Sequence, residues 1–165
     1  MSYPSTDYVY INVNGTNFTI QTNFGNIIRI KGNNTISNNS LFLIIKSNNN
    51  INSYIYTTTG FTLKKAYSIT VRDVVFGQYS YAYAISSSNS TIYKINLNSP
   101  YDVSSISFSN EDIQKLSFDQ NLAVFTIPYT MILSMIKVQN YLKFYVYNQN
   151  LNAIASTSIP YQLDN

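Results

Sequence analysis

Apolar and polar residues alternate with a period of two through most of this 165-residue chain, and turn-forming residues cut the pattern at short intervals. Side chains on an extended strand point alternately to opposite faces, so such a pattern builds half-buried antiparallel strands and leaves little room for helix. Val9, Ile11 and Val13 alternate with Tyr8, Tyr10 and Asn12, and Phe18 and Ile20 alternate with Asn17, Thr19 and Gln21. Between them lies Asn14-Gly15, a pair that accepts the positive φ angles of a type I′ hairpin turn.

Further strands are expected near 27–31, 41–46, 53–58, 61–65, 68–76, 79–85, 91–97, 103–108, 122–127, 131–138 and 141–147, with a tail strand around 153–157. Gly32-Asn33-Asn34, Asn48-Asn49-Asn50, Gly60, Gly77, and residues 86–89 and 148–150 separate them. One segment reads as helix. Ser109-Asn110-Glu111-Asp112 offers a capping serine and first-turn carboxylates, and Ile113 and Leu116 supply a small apolar face. The expected fold class is all-β. It is a single antiparallel β-sandwich over 1–165, jelly-roll-like or immunoglobulin-like, with one short helix near 110–117 closing one end.

Tyr8 to Phe18 (YVYINVNGTNF) resembles the opening hairpin of BTB/T1-type domains. The resemblance covers about eleven residues. The helix-rich remainder of that family has no counterpart in this chain, so the likeness implies a shared hairpin solution only.

Charge is the unusual feature of the composition. Charged residues make up 10% of the chain, against roughly 25% in typical soluble domains. A surface of Asn, Ser, Thr and Tyr stays hydrated without mutual repulsion, so copies associate more readily than charged ones. The net charge of +3 rests on lysines and arginines scattered among neutral residues, with only Arg29/Lys31 and Lys64/Lys65 grouped. A nucleic-acid interface needs several phosphate-neutralising cations on one face, so nucleic acid is not an expected partner. Residues 1–10 have neither a basic start nor an apolar run, and no signal peptide is read there. The most apolar stretch, 123–138, is broken by Pro128 and several hydroxyls. It falls short of the roughly 20 apolar residues of a spanning helix.

With no histidine and no cysteine, the chain lacks the familiar bases, thiolate nucleophiles and zinc ligands. Its carboxylates are Asp7, Asp73, Asp102, Glu111, Asp112, Asp119 and Asp164. Glu111 and Asp112 are adjacent and read as helix N-terminal charges, and Asp73 interrupts a strand as an outward-facing pair with Arg72 or a cross-strand lysine. No calcium-loop or phosphate-loop spacing is present. Five N-x-[ST] sequons, at Asn14, Asn17, Asn33, Asn38 and Asn89, equal the number that chance gives in a chain with this much Asn, Ser and Thr, and carry no information on glycosylation. No catalytic residue, metal ligand or cofactor is therefore expected, and the chain is read as not an enzyme.

The sixteen tyrosines, with no tryptophan, stand above background. Tyr79, Tyr81 and Tyr83 share one strand face, which either enters the core or is presented outward. Tyr141, Tyr145 and Tyr147 share another with Lys143, opposite Leu142, Phe144 and Val146. The Leu-Phe-Val side reads as the core side, leaving an exposed tyrosine ladder. These six tyrosines are the candidate interface or ligand-binding residues. The expected function is that of a non-enzymatic structural protein, a virion or extracellular-surface component acting through self-assembly, with homo-oligomers as partners. The alternative is a carbohydrate- or receptor-binding module such as an adhesin or fibre tip.

Overall fold

The computed structural model describes residues 7–13, 16–22, 27–32, 41–46, 48–57, 60–77, 80–109, 111–119, 131–138 and 141–160. The chain divides into two units, Met1–Thr70 and Val71–Asn165. Thirteen antiparallel strands and no helix occur among the described residues.

In the first unit, β1 (Asp7–Val13) and β2 (Thr16–Thr22) form the expected hairpin, with Val9 opposite Ile20 and Ile11 opposite Phe18. Its Asn14-Gly15 turn lies outside the described residues. β3 (Ile27–Gly32), β4 (Leu41–Lys46), β5 (Asn50–Thr57) and the first part of β6 (Gly60–Phe76) pair in succession. Phe42 to Ile45 in β4 are all buried, on both faces of the strand, which is why this run is continuously apolar instead of alternating. Phe42, Tyr56 and Phe61 pack across three strands, Phe42 meeting Phe61 edge-on at 5.0 Å and Tyr56 meeting Phe61 at 5.3 Å. The segments expected as separate strands at 61–65 and 68–76 are one 17-residue strand, β6.

In the second unit, β6 from Val71 onward pairs with β7 (Tyr81–Ser86), followed by β8 (Thr91–Asn96) and β9 (Val103–Ser107). β10 (Asp112–Asp119), β11 (Met131–Val138), β12 (Tyr141–Tyr147) and β13 (Ala153–Pro160) form a separate four-stranded sheet. The strand expected at 122–127 lies outside the described residues. The turns use the expected chemistry. Asn89 takes φ 61° and its N–H donates to Ser86 O at 3.0 Å. Asn148 Oδ1 accepts from the N–H groups of Asn150 (2.9 Å) and Asn152 (3.1 Å).

Two expectations need correction. The helix near 110–117 is strand β10. Ile113 and Leu116 are three residues apart, the spacing of a helix face, but a register shift at Ile113/Lys115 leaves Gln114 as a bulge, so both side chains point to one side of the strand. Arg72 Nη2 donates to the carbonyls of Ile113 and, at 2.9 Å, Gln114, holding the bulge in place. A helix of two turns is marginal on its own, and these strand contacts outweigh its capping signals. The jelly-roll or immunoglobulin-like topology is also not what the described strands show. Each pairing joins chain neighbours, in the orders β1-β2, β3 to β9 and β10 to β13, without a Greek-key crossover. The connections are too short to do otherwise: two to four residues closing β1–β2, β7–β8 and β11–β12 permit only hairpins. The fold is all-β and antiparallel, and its described strands form meanders of two, seven and four strands.

The core of the second unit draws on both of its sheets. Tyr83, Ile85 and Ile92 from β7 and β8 cluster with Ile113, Leu116, Ile136, Tyr147 and Leu151. The opposite face of the β7–β8 pair is buried as well, through Ala82, Ala84 and Ile95.

Candidate functional site

Tyr79 lies outside the described residues. The other five candidate tyrosines belong to the second unit, and the structure separates them by depth. Tyr83 is 1% exposed, and its hydroxyl donates to Gln149 O at 2.9 Å. Burial, with a smaller contribution from Tyr81, pushes its pKa up to about 12. Tyr81, two residues earlier on the same face, is half-buried, and Lys94 Nζ lies 4.3 Å from its ring centroid while donating to Asn150 Oδ1 at 3.0 Å. Between the two readings of this strand, the core reading holds for Tyr83.

On β12 the expected exposure of the tyrosine side fails at Tyr147. Tyr147 is 1% exposed and accepts a hydrogen bond from Ser134 Oγ at 3.2 Å. Its pKa is pushed up to about 12, chiefly by burial, against the lowering effect of the Ser134 bond. Tyr145 stacks on Tyr147 at 5.9 Å and meets Phe108 at 6.0 Å. Lys143, on the same face, donates to Glu111 Oε1 at 2.9 Å. That hydrogen bond and the charge of Glu111 raise the Lys143 pKa. Only Tyr141, 49% exposed, stands in solvent as the exposed ladder required. The ladder turns inward because the facing strands complete it: β7 and β8 supply apolar wall, Ser134 meets the Tyr147 hydroxyl, and Glu111 neutralises Lys143.

The sequence placed no functional weight on the opposite side of the same sheet. Phe144 pairs with Met135 on one side and Thr157 on the other, Leu142 with Lys137 and Ile159, and Val146 with Ala155, so these residues share a face. Met135, Leu142, Phe144 and Val146 are only half-buried and Ile159 is 48% exposed. The face read as core is thus partly covered, not fully buried. It was visible as an apolar stripe in β12, but period two tells which residues share a face and not which face is covered.

Asp73 Oδ1 accepts from the N–H of Val74 at 2.9 Å, a local structural role at the β6 register shift. Among the described residues no three His, Cys, Asp or Glu side chains gather as metal ligands would.

Gly77 explains one constraint on this site. A Cβ built on it would lie 2.5 Å from Tyr83 Cε2 and 3.3 Å from Tyr81 O. The Tyr83 ring is buried and tied at its hydroxyl, so it has little freedom to retreat. Gly77→Ala is expected to cost about 1–3 kcal/mol, read as a lower urea midpoint; an unchanged midpoint would show that the ring moves freely.

No family model and no curated protein matches the chain. Solved structures do. Two single-residue variants of the Synechocystis apocarotenoid oxygenase superpose with a TM-score of 0.67 at 11% identity, covering 92% of this chain and 40% of theirs. A third variant of that enzyme gives 0.65 at 13% identity, over 90% and 40%. The chain therefore spans well under half the length of the structures it resembles, and identity this low carries the fold alone. The expectation that the chain is not an enzyme is corrected by the same finding: the β architecture it adopts is one on which an oxygenase is built.

Proposed function

We propose that the chain acts by association, as a β-structural module of a larger assembly such as a virion or an extracellular surface layer. The observation that supports this reading is the apolar side of β12, where Leu142, Phe144 and Val146 are only partly buried and the adjacent Ile159 is 48% exposed. Low charge supports it, because a net +3 spread over 165 residues opposes the packing of copies only weakly. In this reading the two sheets of the second unit form a sandwich whose inner layer is the Tyr83–Tyr147 cluster. Light-scattering mass over a concentration series tests it. The mass is expected to rise above the 18.8 kDa of one chain; a constant 18.8 kDa at the highest concentration, with no partner recovered from the native source, would overturn it.

A second reading is favoured by the structural match: the chain as part of an oxygenase-like catalytic scaffold. Oxygen uptake coupled to cleavage of an apocarotenoid would place it first. A glycan-binding role has less to draw on, since Lys94 lies over Tyr81 and Tyr145 and Tyr147 face inward, leaving Tyr141 as the exposed ring among the five described candidates.

A further inference from the structure

We infer that one water molecule is bound inside the Val71–Asn165 unit, accepting a hydrogen bond from Arg72 Nε and donating to Asn89 Oδ1 and Glu111 Oε2.

Three separate parts of the chain meet at the start of β10. Glu111 immediately precedes the strand, the Ile113 N–H donates to the Asn89 carbonyl at 2.8 Å, and Arg72 Nη2 donates to the carbonyls of Ile113 and Gln114. Asn89 stands in the turn between β7 and β8 at φ 61°, and Arg72 lies at the register shift between Val71 and Asp73 in β6. These bonds satisfy the backbone of the junction and leave its side chains incomplete. Arg72 Nε, Asn89 Oδ1 and Glu111 Oε2 are all buried, and none has a hydrogen-bond partner among the described residues. The Glu111 side chain is 14% exposed, and Lys143 engages only its other oxygen, Oε1, at 2.9 Å. An unpaired buried polar atom is destabilising, and folded proteins keep few of them. Three around one short stretch of strand call for a common partner.

The inventory of donors and acceptors selects that partner. One donor and two acceptors are the complement of a molecule that accepts once and donates twice, which is the ordinary bonding of a buried water. A metal cation is disfavoured, because Arg72 presents a proton where a ligand needs a lone pair and Lys143 already neutralises Glu111. An anion is disfavoured by the carboxylate and the amide oxygen, neither of which can donate to it. A larger neutral ligand has no way in, since all three atoms are closed to solvent. The water has a structural task there. It fastens β10, the first strand of the four-stranded sheet, to β6 and to the β7–β8 turn, beside the bulge that Arg72 already holds.

The test uses the full 165-residue chain. A crystal structure at about 1.5 Å resolution is expected to show one ordered water within about 3.2 Å of all three atoms. Separate waters on the three atoms would overturn the inference, as would Glu111 Oε2 accepting directly from the Tyr147 hydroxyl. Urea unfolding supplies a second readout that needs no crystal. Asn89→Gly removes one acceptor and suits the positive φ of that turn, and Glu111→Gln alters another. Each single change disrupts the shared water, so the second has less left to lose. The double variant is expected to raise the unfolding equilibrium constant about fivefold less than the product of the two single effects. Effects that multiply to within about twofold, as those of independent sites do, would show that Asn89 and Glu111 share no water and would overturn the inference.

Discussion

Raising the pH from 10 to 12 is expected to unfold the Val71–Asn165 unit in a step that follows tyrosine ionisation. The pKa values of Tyr83 and Tyr147 rise from 10.0 to about 12 because burial disfavours the phenolate. A raised folded pKa means that the native state holds its proton more tightly than the unfolded chain does. The stabilisation is complete below pH 10, where both states are protonated. It is lost as pH climbs through the window, since the unfolded chain releases protons that the native state retains. Each tenfold difference in proton affinity between the two states is worth about 1.4 kcal/mol, so the two phenols together remove about 5 kcal/mol by pH 12, comparable to the lower end of total domain stability. Lys143, whose pKa is raised by Glu111, acts in the same direction. Phenolate absorbance and circular dichroism should change together, with a late group of tyrosines ionising only as structure is lost. All tyrosines titrating near pH 10 with unchanged circular dichroism would contradict the buried placement of both rings.

Tyr147→Ala is the substitution with the largest expected effect. The side chain is 1% exposed, sits among Ile113, Leu116, Ile136 and Leu151, and stacks with Tyr145. Truncating a buried aromatic ring typically costs about 3–5 kcal/mol through lost transfer energy and the cavity left behind. It also strands the Ser134 hydroxyl, itself 1% exposed, without its partner. Tyr147→Phe keeps the ring and loses only the bond from Ser134, and is expected to cost about 1 kcal/mol. Urea unfolding of the two variants separates packing from hydrogen bonding. An alanine variant within about 0.5 kcal/mol of the parent, as surface substitutions are, would restore the exposed ladder.

What local alternation and turn chemistry control was legible in the residues themselves. The β1–β2 hairpin, the strands at β8 and β12, and the Asn-based turns at Asn89 and Asn148 stand where period two and turn residues place them. Low charge and the absence of histidine and cysteine are equally independent of any fold.

Three features depended on partners distant in the chain. The Ile113/Leu116 spacing satisfies a helix and a bulged strand equally well, and Arg72, more than forty residues away, decides for the strand by holding the bulge carbonyls. On β12 both faces carry large apolar area, since a tyrosine ring buries as readily as leucine once its hydroxyl is satisfied. Ser134 meets that condition at Tyr147, which lets this ring be buried while Leu142 and Phe144 on the opposite face stay partly exposed. Strand order, too, came from pairing along the backbone, to which side-chain alternation is indifferent: the same strands could be wound as a Greek key or as meanders. The sequence by itself determined that this protein is made of antiparallel strands with a neutral surface, because those properties follow from each residue and its near neighbours. Which face of each strand is buried, and so which surface remains for a partner, was decided only by tertiary structure, because burial is a property of what lies across from a residue.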